Sequence, residues 1–371
     1  MKKILLLAGE ESGVLYSRRI AAELADRGQV EIRGYGVYGF KTADLAVFGI
    51  WAVVRKIFYF LRVKRTLERA IDEWRPDVVC TIDYPGLNLK LAAYAHERGI
   101  RAVHVVCPQV WAWHTGRIPK IERSLDAICC FLPFEPKLFR KGLATFVGHP
   151  LVEEFGDVSA ADRESPRNVL AVLPGSRLGE IGYHMPVVLE AISLLQAEGI
   201  CPKIIIPAAN DRAHRELERI LRRATPEIFA AVTLTHGGAR EALKLADAAI
   251  VSSGTATLEA ALLGCPTVLV YKVGYLLGEF LRRAIKGTRY VGLANVIWDR
   301  CGGTGEQPTP ELLQERFTAA NVVAELRGYL TDARCRVRAS SHLIETCSLL
   351  RGDGDSMSRI ADIVISTERN S

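Results

Sequence analysis

The chain has 371 residues, more than one ordinary α/β core uses, and this length favours two domains. Apolar residues make up 49% of it, and the net charge of +6, from 48 basic and 42 acidic residues, is too mild to indicate a nucleic-acid partner. Nine scattered cysteines, with no CxxC pair of metal-binding spacing, favour buried free thiols in the reducing cytoplasm.

The first half of the chain alternates apolar strands with helices. Strands are predicted at Ile4–Ala8, Asp77–Ile82, Ala102–Val106 and Ala127–Phe131, and helices at about Leu15–Arg27 and at Leu89–Arg98. Because these strands are continuously apolar rather than alternating, they are typical of a parallel sheet that is buried on both faces.

The composition changes after Pro150, and the polar segment Gly156–Arg167 is predicted to be a linker. The pattern then restarts, with strands predicted at Asn168–Leu173, Lys203–Pro207 and Ala248–Val251, and helices near Met185–Glu198, at Arg212–Arg223 and from Thr255. We therefore predict an α/β protein of two Rossmann-like, doubly wound domains with an interdomain cleft. The predicted domains are 1–165 and 166–345, and a C-terminal tail, 346–371, follows them.

Two loops of the second half have the residues of a phosphate site. Gly175, Ser176 and Arg177 follow a predicted strand, where glycine allows close backbone approach, serine donates a hydrogen bond and arginine matches phosphate geometry. The small residues Ser253-Gly254-Thr255 open a helix whose amides and dipole suit a diphosphate, and Glu259, one turn later, suits a ribose diol. An ordinary strand-to-helix turn and the capping of a structural helix are the alternatives. The two loops together favour nucleotide binding.

The first half contains a candidate catalytic base. Asp83 ends a predicted strand and faces the predicted cleft, where a carboxylate can take the proton of a hydroxyl that attacks an anomeric carbon. From spacing alone, a turn or helix-capping role for Asp83 before Pro85 is an equally good interpretation. Glu10 and Glu11, in the loop after the first strand, are similarly ambiguous, and this loop lacks the G-x-G-x-x-G spacing of a dinucleotide fingerprint.

Aromatic and basic residues are dense in the segment Phe48–Arg65, which is too interrupted by charge to span a bilayer. Such a mixture suits a helix that lies in a membrane interface, attracted by anionic headgroups. A core helix with a solvated basic face is the alternative. The predicted membrane-contacting residues are Trp51, Phe58, Tyr59 and Phe60.

The motifs of both halves, taken together, resemble one family, the lipid-A-disaccharide synthases, which are inverting glycosyltransferases of the GT-B fold. The matching segments span nearly the whole chain, and are Ala8-Gly9-Glu10-Glu11-Ser12-Gly13, Ile82-Asp83-Tyr84-Pro85, Pro108-Gln109-Val110-Trp111-Ala112-Trp113, Phe131-Leu132-Pro133-Phe134-Glu135, Val147-Gly148-His149-Pro150, Leu173-Pro174-Gly175-Ser176-Arg177, Ser253–Glu259 and Leu293-Ala294-Asn295. The strings V-W-A-W and F-L-P-F-E are distinctive, whereas L-P-G-S-R and S-G-T are shared more widely among related folds.

The resemblance implies a reaction. Diacylated glucosamine is transferred, with inversion, from UDP-2,3-diacylglucosamine to the 6-hydroxyl of 2,3-diacylglucosamine 1-phosphate (lipid X), which gives a β-1,6-linked disaccharide 1-phosphate and UDP. Asp83 falls on the family's catalytic base. The nucleotide-sugar positions are Gly175, Ser176, Arg177, Ser253, Gly254, Thr255, Glu259 and Asn295, and the first-loop and acceptor positions are Glu10, Ser12, Gly13, Asn88, Gln109 and Trp111.

The resemblance also implies partners and a location. No metal and no other cofactor are expected, because backbone amides, a helix dipole and Arg177 can stabilise the departing diphosphate. Because both substrates are lipids, we expect a cytoplasmic protein bound peripherally to the inner face of the cytoplasmic membrane. The tail, 346–371, is expected to return to the first domain, and some members of the family dimerise through this segment.

The chain departs from the family's pattern at several places. Val14 and Tyr84-Pro85-Gly86 stand where members usually have an additional Asp, and Cys301–Gly305 resembles an insertion. Two other functions are therefore considered. A non-transferring enzyme of the same fold, such as a sugar-nucleotide 2-epimerase, would have no use for the aromatic segment. A catalytically silent, membrane-associated nucleotide binder is suggested by the loss of the acid at Val14.

Overall fold

The computed structural model describes residues 1–9, 11–35, 50–112, 115–274, 278 and 287–366, without the side chains of 11, 12, 35 and 50–59. The chain forms two compact units, one of residues 1–150 and 350–371 and the other of residues 151–349. All nine cysteines are free, and six of them are buried, as the sequence predicts for most of them.

The first unit is built on a six-stranded sheet in the order β2-β1-β3-β4-β5-β6, and every pairing is parallel. Its strands are β1 Lys2–Ala8, β2 Val30–Tyr35, β3 Val78–Ile82, β4 Arg101–Val105, β5 Ala127–Cys130 and β6 Ala144–Phe146, and its first helices are α1 Glu11–Asp26, α2 Ile50–Trp74, α3 Pro85–His96 and α4 Ile118–Glu122. Because the chain passes from β2 across β1 to β3, the topological switch lies between the carboxyl ends of β1 and β3.

The second unit has a parallel six-stranded sheet in the order β12-β11-β10-β7-β8-β9. Its strands are β7 Val169–Leu173, β8 Lys203–Ala208, β9 Val232–His236, β10 Ala248–Ser252, β11 Thr267–Tyr271 and β12 Glu311–Leu313. Helix α5 Pro150–Phe155 enters the unit, and the others are α6 Leu178–Ala197, α7 Asp211–Leu221, α8 Pro226–Ala231, α9 Ala239–Leu245, α10 Thr255–Leu262, α11 Leu293–Arg300, α12 Ala319–Thr331 and α13 Ala333–Ser348. Here the switch lies between β7 and β10, and the two sheets confirm the predicted α/β class.

The C-terminal helix, α14 Ser356–Ile365, packs on the first unit. Met357, Ile360, Ala361 and Val364 are buried in the same cluster as strands β1, β3 and β4. The Arg101 guanidinium also donates to the carbonyl oxygen of Ile363, at 3.1 Å, across the end of the sheet.

The polar segment predicted as a linker, 156–167, lies within the second unit, and the division between the units falls before it, after Pro150. Arg163 is buried, and its guanidinium donates to the carbonyl oxygens of Leu243, Ala246 and Leu263. Buried Arg336 donates in turn to the carbonyl oxygen of Arg163, at 3.0 Å. These arginine side chains hold the segment in the second unit, because they donate hydrogen bonds to buried backbone carbonyls. Polar composition alone does not distinguish such a segment from a linker.

Helix α6 begins at Leu178, earlier than the predicted Met185. Glycines and Pro186 weaken the helical pattern of its first turns, while the Glu180 carboxylate, in the first turn, pairs with the Arg177 guanidinium. Among the described residues, α6 alone is long and apolar enough to cross a membrane. Its apolar face, including Ile181, Met185 and Val188, is fully buried in the core of the second unit, which identifies it as a core helix.

Candidate functional site

The second unit has a cavity of about 420 Å³ at the switch between β7 and β10. It brings together the two loops that the sequence predicts to hold a nucleotide. The lining residues are Leu173, Gly175, Ser176, Arg177, Glu180, Pro207, Ala208, Ala209, Gly237, Ala239, Ser252, Ser253, Gly254, Thr255 and Ala256. Six of the eight predicted nucleotide-sugar residues therefore meet in one place.

Both loops need a glycine where they turn. Gly175 has a φ of +117°, and a Cβ at this position would lie 2.6 Å from the Oε2 atom of Glu180. Gly254 has a φ of +149° and is the N-cap residue of α10. Because Gly254 has no side chain to cap the helix, the first amides of α10 are left to the cavity, and a helix N-terminus of this kind suits an anion.

Arg177 lies at the rim of the cavity, with 79% of its side chain exposed. Its Nη1 atom is 2.9 Å from the Oε1 atom of Glu180, whose side chain is largely buried. The ion pair directs the guanidinium along the cavity wall while leaving most of its N–H donors exposed. This arrangement can bind a diphosphate through charge-assisted hydrogen bonds.

His184 connects the Pro174–Arg177 loop to the end of β11. The backbone N–H of Lys272 donates to Nε2, at 3.0 Å, so Nδ1 carries the proton and donates to the carbonyl oxygen of Pro174, at 2.7 Å. Burial lowers the pKa of this fully buried imidazole, which favours the neutral form that the two bonds require. His184 gives no signal in the sequence, because a histidine within an apolar helix has no motif of its own.

The two other predicted nucleotide-sugar residues do not line the cavity. Glu259 is partly buried on α10, 3.8 Å from the Arg240 guanidinium, and burial raises the pKa of its carboxyl. Asn295 is fully buried. Its amide donates to Thr309 O and to Glu311 Oε1 and accepts from the Thr309 N–H, at 2.7, 2.8 and 3.0 Å, so its polar atoms serve the interior of the second unit.

In the first unit, Asp83 follows β3 at the switch between β1 and β3. Asp83 and Tyr84 have φ values of +51° and +48°, and two consecutive non-glycine residues in this region are uncommon. Strain of this kind concentrates at functional sites. The Tyr84 N–H donates to Asp83 Oδ1 at 2.7 Å, which fixes the carboxylate, while Oδ2 has no hydrogen-bond partner among the described residues. Asp83 thus offers one oriented oxygen as a proton acceptor.

Asn88 holds the backbone of this turn through side-chain hydrogen bonds. Its buried Nδ2 group donates to the carbonyl oxygens of Ile82 and Asp83, at 2.9 and 2.7 Å, and lies 3.3 Å from that of Leu7. The structure thus gives Asn88 a role in holding the Asp83 turn, whereas the resemblance implies an acceptor contact.

The first loop meets the Asp83 turn directly. A Cβ on Gly9 would lie 2.5 Å from the Tyr84 ring, so only glycine fits there, and one on Gly13 would lie 3.4 Å from the Ile82 carbonyl oxygen. Among the predicted first-loop residues, Glu10 and the side chain of Ser12 lie outside the described residues.

Trp111 is buried and connects the two distinctive motifs. Its Nε1–H donates to Glu135 Oε1 at 3.1 Å, and the Leu132 N–H donates to Glu135 Oε2 at 3.2 Å. Burial raises the pKa of Glu135 to about 8. Cys107 and Cys130 lie beside Glu135, with all three potential metal-binding atoms within 4.8 Å of one another. Gln109 is exposed, so of these two predicted acceptor residues only Gln109 presents its side chain to solvent.

The predicted membrane-contacting residues lie on α2. The side chains of Trp51, Phe58 and Tyr59 are outside the described residues. The Phe60 ring stacks on Tyr84, with centroids 6.2 Å apart, so it packs against the Asp83 turn.

The fold is shared with several solved structures. S. aureus MnaA, in a co-structure with UDP, has a TM-score of 0.63 at 13% identity, over 100% of this chain and 99% of that one. MurG from Acinetobacter baumannii has a TM-score of 0.59 at 12% identity, over 98% and 99% of the two chains. UDP-GlcNAc 2-epimerase from Neisseria meningitidis has a TM-score of 0.61 at 10% identity, over 98% and 99%. At these identities the similarity shows the fold alone.

The sequence comparisons are more specific. Residues 4–352 match the family described as lipid-A-disaccharide synthetase. Relatives named lipid-A-disaccharide synthase are 36% identical in Syntrophus aciditrophicus, over 94% of both chains, and 38% identical in Burkholderia mallei, over 87% of this chain and 86% of the relative. The match over nearly the whole chain, together with these identities, shows that the protein belongs to the lipid-A-disaccharide synthetase family.

Proposed function

We propose that this protein transfers 2,3-diacylglucosamine from UDP-2,3-diacylglucosamine to 2,3-diacylglucosamine 1-phosphate, forming the β-1,6-linked disaccharide 1-phosphate and UDP. Membership of the lipid-A-disaccharide synthetase family is the observation that carries the proposal. The cavity at the β7–β10 switch supports it, because glycine turns, an uncapped helix N-terminus and Arg177 suit the diphosphate of a sugar nucleotide.

Asp83 acts as the general base in this reaction. Its Oδ2 takes the proton of the acceptor 6-hydroxyl while the hydroxyl oxygen bonds to the anomeric carbon of the donor. The bond from that carbon to the diphosphate oxygen breaks on the opposite face, and UDP leaves with the electron pair, so the configuration inverts. The fixed geometry of the Asp83 turn supports this role because the carboxylate needs no reorientation during the reaction.

The departing diphosphate gains negative charge that the second unit can stabilise. The N-terminal amides of α10 and the Arg177 guanidinium supply preorganised donors for it. The proposal therefore requires neither a metal ion nor another cofactor. Turnover in the presence of EDTA is the corresponding measurement.

We propose a cytoplasmic location, on the inner face of the cytoplasmic membrane. The aromatic and basic composition of Phe48–Arg65 supports this assignment because it suits a membrane interface. A homodimer through the C-terminal segment is a further prediction, and light scattering of the full chain in detergent tests it.

The reaction is tested by UDP release from the diacylglucosamine donor, with and without the lipid acceptor. A transferase releases UDP only when the acceptor is present. UDP release without an acceptor, or epimerisation of the sugar, would favour the 2-epimerase, and tight UDP binding without turnover would favour the silent nucleotide binder.

The base is tested by Asp83→Asn. Asn tolerates the left-handed backbone and can accept the Tyr84 N–H bond, so the turn should persist. We expect kcat to fall by about 10² to 10⁴, with little change in the KM for the donor. Asp26→Asn, at an exposed position of the same unit, is the matched control. Wild-type turnover of the Asp83 variant would exclude the assignment.

A further inference from the structure

The first unit has a second cavity, of about 350 Å³, next to the Asp83 turn. We call it the cationic groove. It is formed by α2, by α3 and by the helical turns that include α4, and its lining residues are Lys64, Glu68, Pro85, Gly86, Leu89, Lys90, Ala93, Tyr94, Glu97, Arg117, Lys120, Ile121 and Ser124. Neither the predicted catalytic role of Asp83 nor the nucleotide cavity uses these side chains.

The groove begins at the Asp83 turn and follows one face of α3. The α3 residues that line it recur every four positions, at 85–86, 89–90, 93–94 and 97. At 1.5 Å per residue this face is about 18 Å long. Pro85 and Gly86 come directly after Asp83 and Tyr84, so one end of the groove adjoins the proposed catalytic base.

The groove has excess positive charge over an apolar floor. Lys64 forms an ion pair with Glu68, which neutralises both. Lys90, Arg117 and Lys120 are exposed, and within the described part of the chain they have no ion-pair or hydrogen-bond partner for their charged groups. Leu89 and Ile121, by contrast, are buried at 9% and 3% exposure and form part of the floor. Glu97 is the one other carboxylate that lines the groove, so the three cations leave an excess of two positive charges. This excess beside apolar surface suits an amphiphilic anion.

We propose that the cationic groove binds the phosphomonoester of the lipid acceptor. This inference rests on the proposed function, which supplies an acceptor that carries a phosphate on the sugar whose 6-hydroxyl Asp83 deprotonates. A phosphomonoester has close to two negative charges near neutral pH. The Arg117 guanidinium can bind it bidentately, and Lys90 and Lys120 can add charge-assisted bonds, while the apolar floor can contact the acyl region. The groove would then make the kcat/KM for an acceptor without the phosphate lower than that for the phosphorylated acceptor.

The test compares two acceptors, 2,3-diacylglucosamine 1-phosphate and the same lipid without its phosphate, in uncharged detergent micelles. The variant is Lys90→Gln with Arg117→Gln, and Lys137→Gln, which removes an exposed cation of the same unit outside the groove, is the control. We expect the double variant to lose about tenfold or more in kcat/KM on the phosphorylated acceptor and to keep its rate on the other. The KM for the donor should stay unchanged.

An unchanged preference for the phosphorylated acceptor, or an equal loss on both acceptors, would overturn the proposal. Bilayer phosphate is the other source of the same chemistry, and cosedimentation with phosphatidylcholine vesicles, with and without phosphatidylglycerol, measures it. If the double variant lost only its binding to anionic vesicles, the groove would serve the bilayer and the acceptor assignment would be wrong.

Failure of the proposed function is detected separately. If the wild-type protein transferred sugar to neither acceptor, the proposed function would be wrong. The groove could still be tested by calorimetry, which measures direct binding of the phosphorylated lipid in micelles. Weaker binding of the phosphorylated lipid by the double variant than by Lys137→Gln would support the groove, and equal binding would overturn it.

Discussion

His184 fixes the backbone of the nucleotide loop with both ring nitrogens, and each bond can be removed alone. An Asn side chain can replace the Nδ1 donor, which keeps the bond to Pro174, whereas Gln places its amide nearer to Nε2 and keeps the bond to Lys272. We expect His184→Asn to retain the KM for the donor within about threefold, and His184→Gln to raise it about tenfold, because only the first holds the loop.

Steady-state kinetics on both substrates measures this difference. The KM for the acceptor should change in neither variant, and thermal unfolding should report a similar loss of stability in both. If the two variants raised the KM for the donor equally, His184 would stabilise the second unit without a specific role in positioning the loop.

Glu135 makes the stability of the first unit depend on pH. Its pKa is about 8 in the folded chain, against 4.5 for the ordinary carboxyl, so between these values the folded state holds a proton that the unfolded state releases. Its contribution is therefore complete below about pH 4.5 and is lost as pH rises towards 8, by up to about 1.4 kcal/mol per pH unit. Urea unfolding between pH 5 and 8 should show a shallower decline in Glu135→Gln, which keeps an acceptor for Trp111. Parallel curves for the two proteins would contradict this.

Motifs identify residue types but not how their polar atoms are used. The family resemblance predicts binding roles for Asn88, Trp111 and Asn295, yet in the structure each has hydrogen bonds inside its own unit. Whether a polar side chain binds a ligand or a backbone carbonyl depends on tertiary contacts, and a local sequence motif does not specify these contacts. Gly175 and Gly254 are predictable for the opposite reason, since both have a positive φ that favours glycine, and at Gly175 a Cβ would also meet Glu180.

At the scale of the element, α10 tests the diphosphate site. Thr255 is its first residue and lines the cavity. A carboxylate there stabilises a helix by about 0.3–1 kcal/mol, because it faces the positive end of the dipole, but it repels a bound diphosphate. We expect Thr255→Asp to leave the unfolding temperature unchanged or higher and to weaken UDP binding about tenfold or more.

Calorimetric titration with UDP and a thermal scan measure the two effects. Thr255→Asn, which is neutral and of similar size, is the control and should bind UDP more tightly than the Asp variant. If both variants bound UDP as the wild type does, the diphosphate would not lie at the N-terminus of α10.

Most strands inside the two sheets were predicted, whereas helix starts, the edge strands and the interior strand β11 were not. Strands β1, β3, β4, β7 and β10 are buried along most or all of their length and are mainly apolar, because they are covered on both faces. Edge strand β9 is partly exposed along its length, so its pattern is weak. The start of α6 depends on the contact between Arg177 and Glu180, which outweighs the poor helical propensity of the glycines that follow.

At the scale of the whole molecule, the chain leaves the first unit after Pro150 and returns to it at Leu350. The sequence predicts a returning tail only through the family resemblance, because a short amphipathic helix does not reveal which core it joins. In the structure, α14 joins the core of the first unit, where Met357, Ile360 and Val364 share a buried cluster with Ile4 and Val103. The stability of the first unit should therefore depend on residues that are distant in sequence.

Ile360 tests this dependence, because its side chain is fully buried between α14 and the first sheet. Ile360→Ala removes three carbons from a packed core, and we expect a loss of about 2–5 kcal/mol in the stability of the first unit. Hydrogen exchange should then accelerate in β1 and β3 and stay unchanged in β7 and β10, since those strands lie in the other unit. Leu349→Ala, at a largely exposed position just before the return, is the control and should change neither set. Equal acceleration in β1 and β7 would mean that α14 stabilises the molecule as one cooperative body and not the first unit in particular.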